Sequence, residues 1–253
     1  DLLSCSYGSY YGSIPKIRKL VQENKIEAYS LPQGQLSLLF REIGRGSPGL
    51  ISTVGKNTYV DPRLRGGKLN QKTIEDVIDM ISIDGIKYLF YKSKPVEAAL
   101  LRGSIADQFG NISMINEPVK TEFLSMAQAA RSSGGKIFVQ VSELLNGKLS
   151  PNDIDLPSHL VDSFIITTDI ENDHRHTNKY ALHEGFLSNG EYNHEIKSDD
   201  DPLYKRKIGL RALKELSPKS NVILGQGVPE IVGVYARQSS KKFTDVLTFM
   251  ESG

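Results

Sequence analysis

Three short motifs follow predicted strands and carry groups that could take part in chemistry. Gln33 lies in a Pro-Gln-Gly turn after the run Ile26–Leu31, and Glu251 directly follows the run Val246–Met250. An amide such as that of Gln33 can donate a hydrogen bond to a developing oxyanion. A glycine loop after a third apolar run consists of Gly225, Gln226, Gly227, Val228 and Pro229.

The positions of these motifs are typical of a ligand site. In an open parallel sheet, ligands bind beyond the carboxyl ends of the strands, because loops and helix N-termini converge there. The glycine loop and Glu251 belong to one predicted β-α-β unit, so both should lie on the same edge of the sheet. The sequence therefore predicts a carboxylate that faces a glycine loop.

Each motif taken alone also has an ordinary structural explanation. A Gly-x-Gly loop can open a dinucleotide-binding fingerprint, but Glu230 stands where that fingerprint needs its third glycine. A plain turn with Pro229 at the first helical position fits the loop better than that fingerprint does. Glu251 alone fits a solvated surface charge, and Gln33 alone fits an amide that satisfies a turn carbonyl.

The thiol and imidazole side chains do not form a known metal-binding pattern. His174 and His176 stand two residues apart beside Asp173 in a polar stretch. We expect this stretch to be a solvated loop, and we predict no metal site. Cys5 is a single cysteine and cannot form an internal disulfide, so a reducing cytoplasm is the simplest location.

The charge balance argues against two classes of partner. The chain of 253 residues has 31 Lys and Arg against 30 Asp and Glu, a formal net charge of +1. This leaves no global excess of charge to hold a polyphosphate backbone or an anionic bilayer. No uninterrupted apolar run approaches the roughly 18 residues of a membrane span. We therefore predict neither nucleic acid nor a membrane as a partner.

The elements that must position these motifs alternate between strand and helix. Over residues 17–145, short apolar runs alternate with amphipathic stretches, which predicts an α/β fold with an open sheet and flanking helices. The runs on either side of Asp84-Gly85 predict a hairpin, and we expect a second hairpin between Val96–Leu101 and the run at Ile112. The run Lys136–Val141 predicts a strand buried on both faces.

A polar stretch divides the chain into two parts. It covers residues 171–201, after which the pattern of helices and strands restarts. The chain begins with Asp1 rather than Met and stops at Gly253 directly after a predicted strand, so we expect a fragment of a longer protein. We predict a first domain over residues 1–168, a linker over 169–203, and the start of a truncated second domain over 204–253 that carries Glu251.

In their order along the chain, the motifs add up to a recognisable set. The most specific is the arm Asp61–Asn70, in which Asp-Pro-Arg is followed by Gly-Gly-Lys-Leu-Asn. Four further motifs accompany it: Pro-Gln-Gly at Gln33, Val-Gly at Gly55, Gly-x-Gly-Val-Pro-Glu from Gly225, and Glu-Ser-Gly at Glu251. This set resembles the family I CoA-transferases, most closely the single-chain acetate/propionate CoA-transferases. The resemblance covers nearly the whole chain and is weakest within the linker.

The resemblance implies a fold of the NagB/RpiA/CoA-transferase type with two related domains. It also implies that Glu251 is the nucleophile and that Gln33 is the oxyanion donor. The family usually has a glycine where this chain has Asn57, and asparagine tolerates left-handed backbone better than most residues. The residues implied to bind CoA and substrate are Gly34, Gly55, Asn57, Gly225, Gln226, Gly227, Val228 and Pro229.

The implied reaction moves CoA between a short-chain acyl-CoA and a carboxylate, through a glutamyl-CoA thioester. The acids are acetate, propionate, butyrate or acetoacetate. CoA is then a substrate, no metal or resident cofactor is needed, and the full-length chain is expected to be a homo-oligomer. Two alternatives stay open: acyl-CoA hydrolysis on the same site, and a non-catalytic ligand-binding or assembly domain of this fold.

Overall fold

The computed structural model describes residues 2–177, 181–182, 184–187, 202–225, 227–238 and 247–250. The chain falls into two compact units, residues 1–190 and 191–253. The boundary between the units lies within the stretch predicted as a linker. The predicted domain limits themselves stay predictions.

Each unit combines strands and helices. The strands of the first unit are β1 (Cys5–Gly8), β2 (Glu27–Ser30), β3 (Gly49–Ser52), β4 (Ile78–Ile83), β5 (Ile86–Lys92), β6 (Ala98–Arg102), β7 (Ile105–Asp107), β8 (Ile112–Ser113), β9 (Lys136–Val141), β10 (Glu143–Leu145) and β11 (Ser163–Ile166). Its helices are α1 (Pro15–Gln22), α2 (Gln33–Gly44), α3 (Phe123–Ser132) and α4 (Ile170–Asp173). The second unit contains α5 (Leu203–Ala212), β12 (Asn221–Leu224), α6 (Glu230–Gln238) and β13 (Leu247–Met250).

The chain begins with a β-α-β-α arrangement. Strands β1 and β2 pair in parallel, and α1 connects them with Pro15 at its start, where a missing N–H costs nothing. Helix α2 follows β2 almost at once, with Pro32 as its N-cap residue. The Pro-Gln-Gly motif is therefore the start of a helix, and the predicted tight turn is limited to Leu31 and Pro32.

The hairpin predicted around Asp84-Gly85 is confirmed. Strands β4 and β5 pair antiparallel, and β3 pairs with the other edge of β5. Asp84 and Gly85 both have positive φ, 50° and 80°, which is the backbone that a two-residue hairpin turn requires. The Asp-Gly pair is favoured there because both residues tolerate this conformation.

The second predicted hairpin is wrong in its pairing. Strand β6, from the run Val96–Leu101, pairs in parallel with β9, and β9 pairs in parallel with β11. The hairpin forms instead between β7 and β8, because the turn at Asp107–Gly110 can join only the strands that directly flank it. The Asp107 carboxylate accepts the N–H groups of Phe109 and Asn111, which closes that turn.

Helix α3 covers one face of the parallel sheet formed by β6, β9 and β11. Its Ala127 and Ala130 are fully buried, so the helix lies close to the buried side chains of β9, Ile137, Val139 and Val141. The strand predicted at Lys136–Val141 matches β9 in both bounds. The burial predicted on both faces is wrong, because Ile137, Val139 and Val141 are buried while Phe138 and Gln140 on the other face are only half-buried. This apolar layer is the larger core of the first unit.

Helices α2 and α3 lie side by side and run in the same direction. Ser37, near the start of α2, donates a hydrogen bond to Glu122 at the start of α3. Further along, Gly44 of α2 lies against Gln128 of α3. Because α2 leads back from the end of β2 and α3 leads into the start of β9, the two strands also run in the same direction. The carboxyl ends of β2, β6 and β9 therefore lie on one edge of the first unit.

The second unit repeats the alternation of helix and strand. Strand β12 pairs in parallel with β13. A separate core includes Leu213, which directly follows α5, Leu224 of β12, and Ile231 and Tyr235 of α6. Gly209 of α5 is needed because a Cβ there would lie 2.7 Å from Ile231. Across the part of the chain that the structure describes, no helix is both long and apolar enough to cross a membrane.

Candidate active site

Gln33 is the first residue of α2 and lies at the carboxyl end of β2. Within the described residues, no side chain caps this helix start. The Gln33 side chain is exposed, and an added Cβ on Gly34 would meet nothing within 4 Å. The Pro32 carbonyl accepts the N–H groups of Gln35 and Leu36, and this fixes the first turn. The structure thus presents the Gln33 amide at an open helix start, where the helix dipole favours negative charge.

The arm predicted from the Asp-Pro-Arg and Gly-Gly-Lys motifs lies along β2. The Ser30 N–H donates to the Gly67 carbonyl at 2.8 Å, and Tyr29 and Lys68 form an antiparallel bridge. The Tyr59 hydroxyl lies 3.2 Å from Oγ of Ser30, the last residue of β2. These contacts bring the arm to the strand end that leads to Gln33.

Gly55 precedes the arm and is required by close packing. Its φ is +92°, and an added Cβ would lie 2.3 Å from Val60 and 2.7 Å from the Tyr91 hydroxyl. That hydroxyl donates to the Val54 carbonyl at 2.7 Å. Burial raises the pKa of Tyr91 to about 12, so the phenol keeps its proton as a donor near neutral pH. Gly55 therefore has a structural role in addition to the binding role that the resemblance implies.

Asn57 adopts the left-handed conformation in which the family usually has glycine, with φ +63°. Its N–H donates to the Asp61 carboxylate at 2.8 Å, and its side-chain oxygen accepts from Arg63 at 2.9 Å. Asp61 is fully buried and also pairs with Arg63 at 2.6 Å. The Arg63 guanidinium, together with backbone N–H groups, holds the pKa of Asp61 well below its usual range. The backbone at Asn57 is therefore fixed by an ionised carboxylate.

The glycine loop of the second unit begins at the end of β12. Gly227 has φ +87°, and its N–H donates to the Glu230 carboxylate at 3.0 Å. Glu230, the first residue of α6, stands where a dinucleotide fingerprint needs glycine, and its side chain binds the loop that precedes the helix. Gly225, Val228 and Pro229 complete the described part of this loop, while Gln226 lies outside the described residues.

Glu251 also lies outside the described residues. The strand before it is described, and the register pairs Leu224 of β12 with Met250 of β13. The chain therefore leaves both strands at the same edge, as predicted from the β-α-β unit. The assignment of Glu251 as nucleophile stays a prediction.

A buried charged cluster at the carboxyl end of β6 was missed by sequence reasoning. Glu117 accepts from Arg102 Nε at 2.8 Å and lies 3.2 Å from His174 Nε2. The side chains of Glu117 and His174 are only 7% and 4% exposed. We call Arg102, Glu117 and His174 the latch, because Arg102 also donates to the carbonyls of His174 and Arg175.

The latch corrects the expectation of a solvated histidine loop. His174 is buried, and the segment around it is held against the sheet, with Gln140 of β9 donating to the Asp173 carbonyl at 2.9 Å. Burial alone would raise the pKa of Glu117, but hydrogen bonds and charges from His174 and Arg102 lower it overall. The local sequence could indicate only that Arg102 ends a strand. Its partners Glu117 and His174 are 15 and 72 residues away along the chain, so no local pattern indicates the cluster. No group of three or more His, Cys, Asp or Glu among the described residues could hold a metal ion.

Comparison with known proteins assigns the family. The family model described as Coenzyme A transferase matches residues 4–166. The chain belongs to this family. The matched range includes Gln33, Gly34, Gly55 and Asn57, while the glycine loop of this CoA-transferase chain and Glu251 lie beyond it.

Two curated CoA-transferases are similar over most of the chain. Caffeate CoA-transferase of Acetobacterium woodii is 40% identical over 231 residues, which is 88% of this chain and 43% of the relative. Acetate CoA-transferase YdiF of Escherichia coli (strain K12) is 32% identical over 251 residues, which is 96% of this chain and 45% of the relative. The chain therefore spans less than half the length of these relatives.

Solved structures agree with the fold. The acyl-CoA transferase YdiF from E. coli O157:H7, in a thioester complex with CoA, has a TM-score of 0.83 and 30% identity, and covers 98% of this chain and 49% of that one. Glutaconate coenzyme A-transferase from Acidaminococcus fermentans, at 16% identity and a TM-score of 0.53, shares the fold alone. The predicted α/β class with open sheets and flanking helices is confirmed for this CoA-transferase chain.

Proposed function

We propose that the protein to which this chain belongs transfers CoA between an acyl-CoA and a carboxylate. The observation that carries the proposal is the exposed Gln33 amide at an uncapped helix start, in a chain of the CoA-transferase family. Relatives named acetate CoA-transferase and caffeate CoA-transferase support this class of reaction. The proposed acids are short-chain carboxylates such as acetate, propionate, butyrate and acetoacetate, and the proposed protein is a cytoplasmic homo-oligomer.

In the proposed reaction, Glu251 is the nucleophile. A glutamate near its ordinary pKa of about 4.3 is ionised at neutral pH and needs no general base. Its carboxylate attacks the thioester carbonyl, the C–S bond breaks, and CoA leaves as a thiolate. The acyl group then remains on the glutamate as a mixed anhydride. The thiolate then attacks the glutamyl carbonyl, which releases the acyl group as a free carboxylate and leaves a glutamyl-CoA thioester. An acceptor acid reverses the two steps, so no metal or redox cofactor is required.

Gln33 is the proposed donor to the oxyanion of each tetrahedral intermediate. Such a donor contributes about 3 kcal/mol of transition-state stabilisation. The start of α2 adds a favourable dipole at the same place. The Gly227 N–H is bound to Glu230, so the proposal assigns the oxyanion to Gln33 rather than to that group.

The test uses the full-length protein and the variant Glu251→Gln. With acetyl-CoA and propionate, we expect the wild type to exchange CoA and to carry a covalent CoA adduct on the peptide containing Glu251, measured by mass spectrometry. Glu251→Gln should show neither, because an amide cannot form the anhydride. Glu215→Gln, at an exposed glutamate of the same unit, should behave like the wild type.

Three outcomes would contradict the proposal. Full exchange in Glu251→Gln would exclude Glu251 as the nucleophile. Release of acetate at the same rate with and without an acceptor acid would show a hydrolase on the same site. A folded wild type with neither an adduct nor exchange would favour a non-catalytic binding or assembly role.

A further inference from the structure

The arm Asp61–Asn70 packs against the end of β2, directly before the turn that leads to Gln33. Gly67 makes this contact: its carbonyl accepts the Ser30 N–H at 2.8 Å, and its φ is +76°. A Cβ on Gly67 would lie 3.0 Å from the Ser30 carbonyl oxygen and 3.0 Å from Leu31 Cδ2. Ordinary contacts of a Cβ are 3.4–4 Å, so only glycine fits here without displacing a neighbour.

The arm is fixed from within, so it does not give way at this contact. The Gly67 N–H donates to the Tyr59 carbonyl at 3.1 Å, and the Gly66 N–H donates to the Asp61 carbonyl at 3.0 Å. Val60 and Asp61 are fully buried. A side chain added at Gly67 would therefore displace the end of β2 rather than the arm.

Few soft dihedral angles separate Leu31 from Gln33. A residue before proline is restricted to extended backbone, and proline itself has a fixed φ. Pro32 has φ −59°, and Gln33 is already the first residue of α2. A displacement of Ser30 and Leu31 is therefore passed on to Gln33 and is not absorbed by the turn.

A second contact holds the last residue of β2 from the side of the arm. The Tyr59 hydroxyl lies 3.2 Å from Ser30 Oγ. On the opposite edge of β2, the Leu31 N–H donates to the carbonyl of Gly8, the last residue of β1, at 2.9 Å. The strand end is thus held between β1 and the segment that contains Tyr59 and Gly67.

We propose that Gly67 and Tyr59 are positioning residues that set the place of the Gln33 amide. The inference rests on the proposed function, because it takes Gln33 as the donor to the oxyanion. A misplacement of about 1 Å can cost about 10²-fold in rate. Moving the contact at Gly67 from 3.0 to 3.4 Å shifts the strand end by a few tenths of an ångström, for which we expect a loss of about fivefold.

The first test compares two adjacent glycines in the full-length protein. Gly66→Ala is the matched control, because Gly66 also has a positive φ of +60° but a Cβ there would meet nothing closer than 3.7 Å. With acetyl-CoA and propionate, we expect kcat to be about fivefold lower in Gly67→Ala than in Gly66→Ala, while KM for acetyl-CoA changes less than about twofold. An equal kcat in the two variants would overturn the proposal.

A double-mutant cycle separates positioning from a general loss of structure. The proposed effect acts through Gln33, so adding Gly67→Ala to Gln33→Ala should lower kcat by less than about twofold more. A further loss of about fivefold in that background would show that Gly67 acts on another group, and it would overturn the proposal.

Tyr59→Phe is a second, milder variant that keeps the proposal testable if Gly67→Ala fails to fold. It removes only the hydroxyl that contacts Ser30. We expect kcat to fall at least about twofold in the wild type and not to fall further in Gln33→Ala. Tyr88→Phe is the control, because the Tyr88 hydroxyl has no hydrogen bond within the described residues. Equal kcat values in the two tyrosine variants would overturn the role of Tyr59.

Crystal structures of the two full-length glycine variants give a readout that does not depend on turnover. We expect Gln33 to be displaced by a few tenths of an ångström in Gly67→Ala and to stay in place in Gly66→Ala. A displaced Gln33 in a protein that shows no CoA exchange would support the positioning contact and refute the proposed function. An unmoved Gln33 and an unchanged kcat in an active enzyme would refute the inference and leave the proposed function standing.

Discussion

At the scale of single residues, Asp61 is the buried charge that holds the arm in place. We expect Asp61→Asn to lower the free energy of unfolding by about 2 kcal/mol, because the amide puts a donor against the donors of Asn57 and Arg63. Urea denaturation at pH 7 measures the loss. Asp76→Asn is the control, since Asp76 is largely exposed beside Lys68 and should cost less than about 1 kcal/mol.

The same pair of variants tests the ionisation of Asp61. A native pKa below the ordinary value of about 3.9 means that ionised Asp61 stabilises the fold above that value. This contribution is lost as the pH falls from there towards the lowered native pKa. The stability difference between wild type and Asp61→Asn should therefore shrink on going from pH 7 to pH 3, and a constant difference would show that the charge is not involved.

The proposed role of Gln33 depends on its side-chain amide. If its amide donates mainly in the transition state, Gln33→Ala should slow CoA exchange roughly 10²-fold with a smaller change in KM for acyl-CoA. Steady-state kinetics with acetyl-CoA measure both quantities. Gln22→Ala, at the exposed end of α1, is the matched control. Equal losses in kcat and in affinity would indicate positioning of the substrate instead.

At the scale of elements, sequence reasoning succeeded where the determining interaction is local. The run Lys136–Val141 gave the bounds of β9, and Asp84-Gly85 identified a hairpin because its turn needs residues that tolerate positive φ. The pairing of β6 with β9 was missed because the register joins Ala98 to Lys136, which no local pattern specifies. Short apolar runs predict strands but leave their partners undetermined.

The same distinction explains the outcome for the candidate site. The left-handed backbone at Asn57 could be expected from the residue type, whereas the turn predicted at Gln33 is the start of α2. The burial of His174 could not, because it depends on Glu117, 57 residues earlier, and on the end of β6. A polar stretch viewed alone predicts solvent exposure, whereas this stretch is buried where His174 meets the carboxylate of Glu117.

At the scale of the whole molecule, the candidate residues are distributed over both compact units. Gln33, Gly34, Gly55 and Asn57 belong to the first unit, and the glycine loop and Glu251 belong to the second. Only the first set and part of the glycine loop can be judged from geometry, because Gln226 and Glu251 lie outside the described residues. The fold class is confirmed, while the roles of Glu251 as nucleophile and of Gln33 as oxyanion donor stay predictions.

We expect the latch to protect one trypsin site, the bond after Arg175. Arg175 is a trypsin site, and cleavage after it requires the segment to open, which the buried Glu117 opposes through Arg102 and His174. We expect Glu117→Gln to speed cleavage at Arg175 at least tenfold. The loss of about 2 kcal/mol of charged hydrogen bonding raises the fraction of molecules with this segment open by more than tenfold. Mass spectrometry of timed digests measures the rate, with Glu75→Gln at an exposed pair as the control. Equal rates in both variants would mean that the backbone alone protects this bond. The expected result would mean that the buried carboxylate of Glu117 sets the rate of proteolysis within a polar stretch.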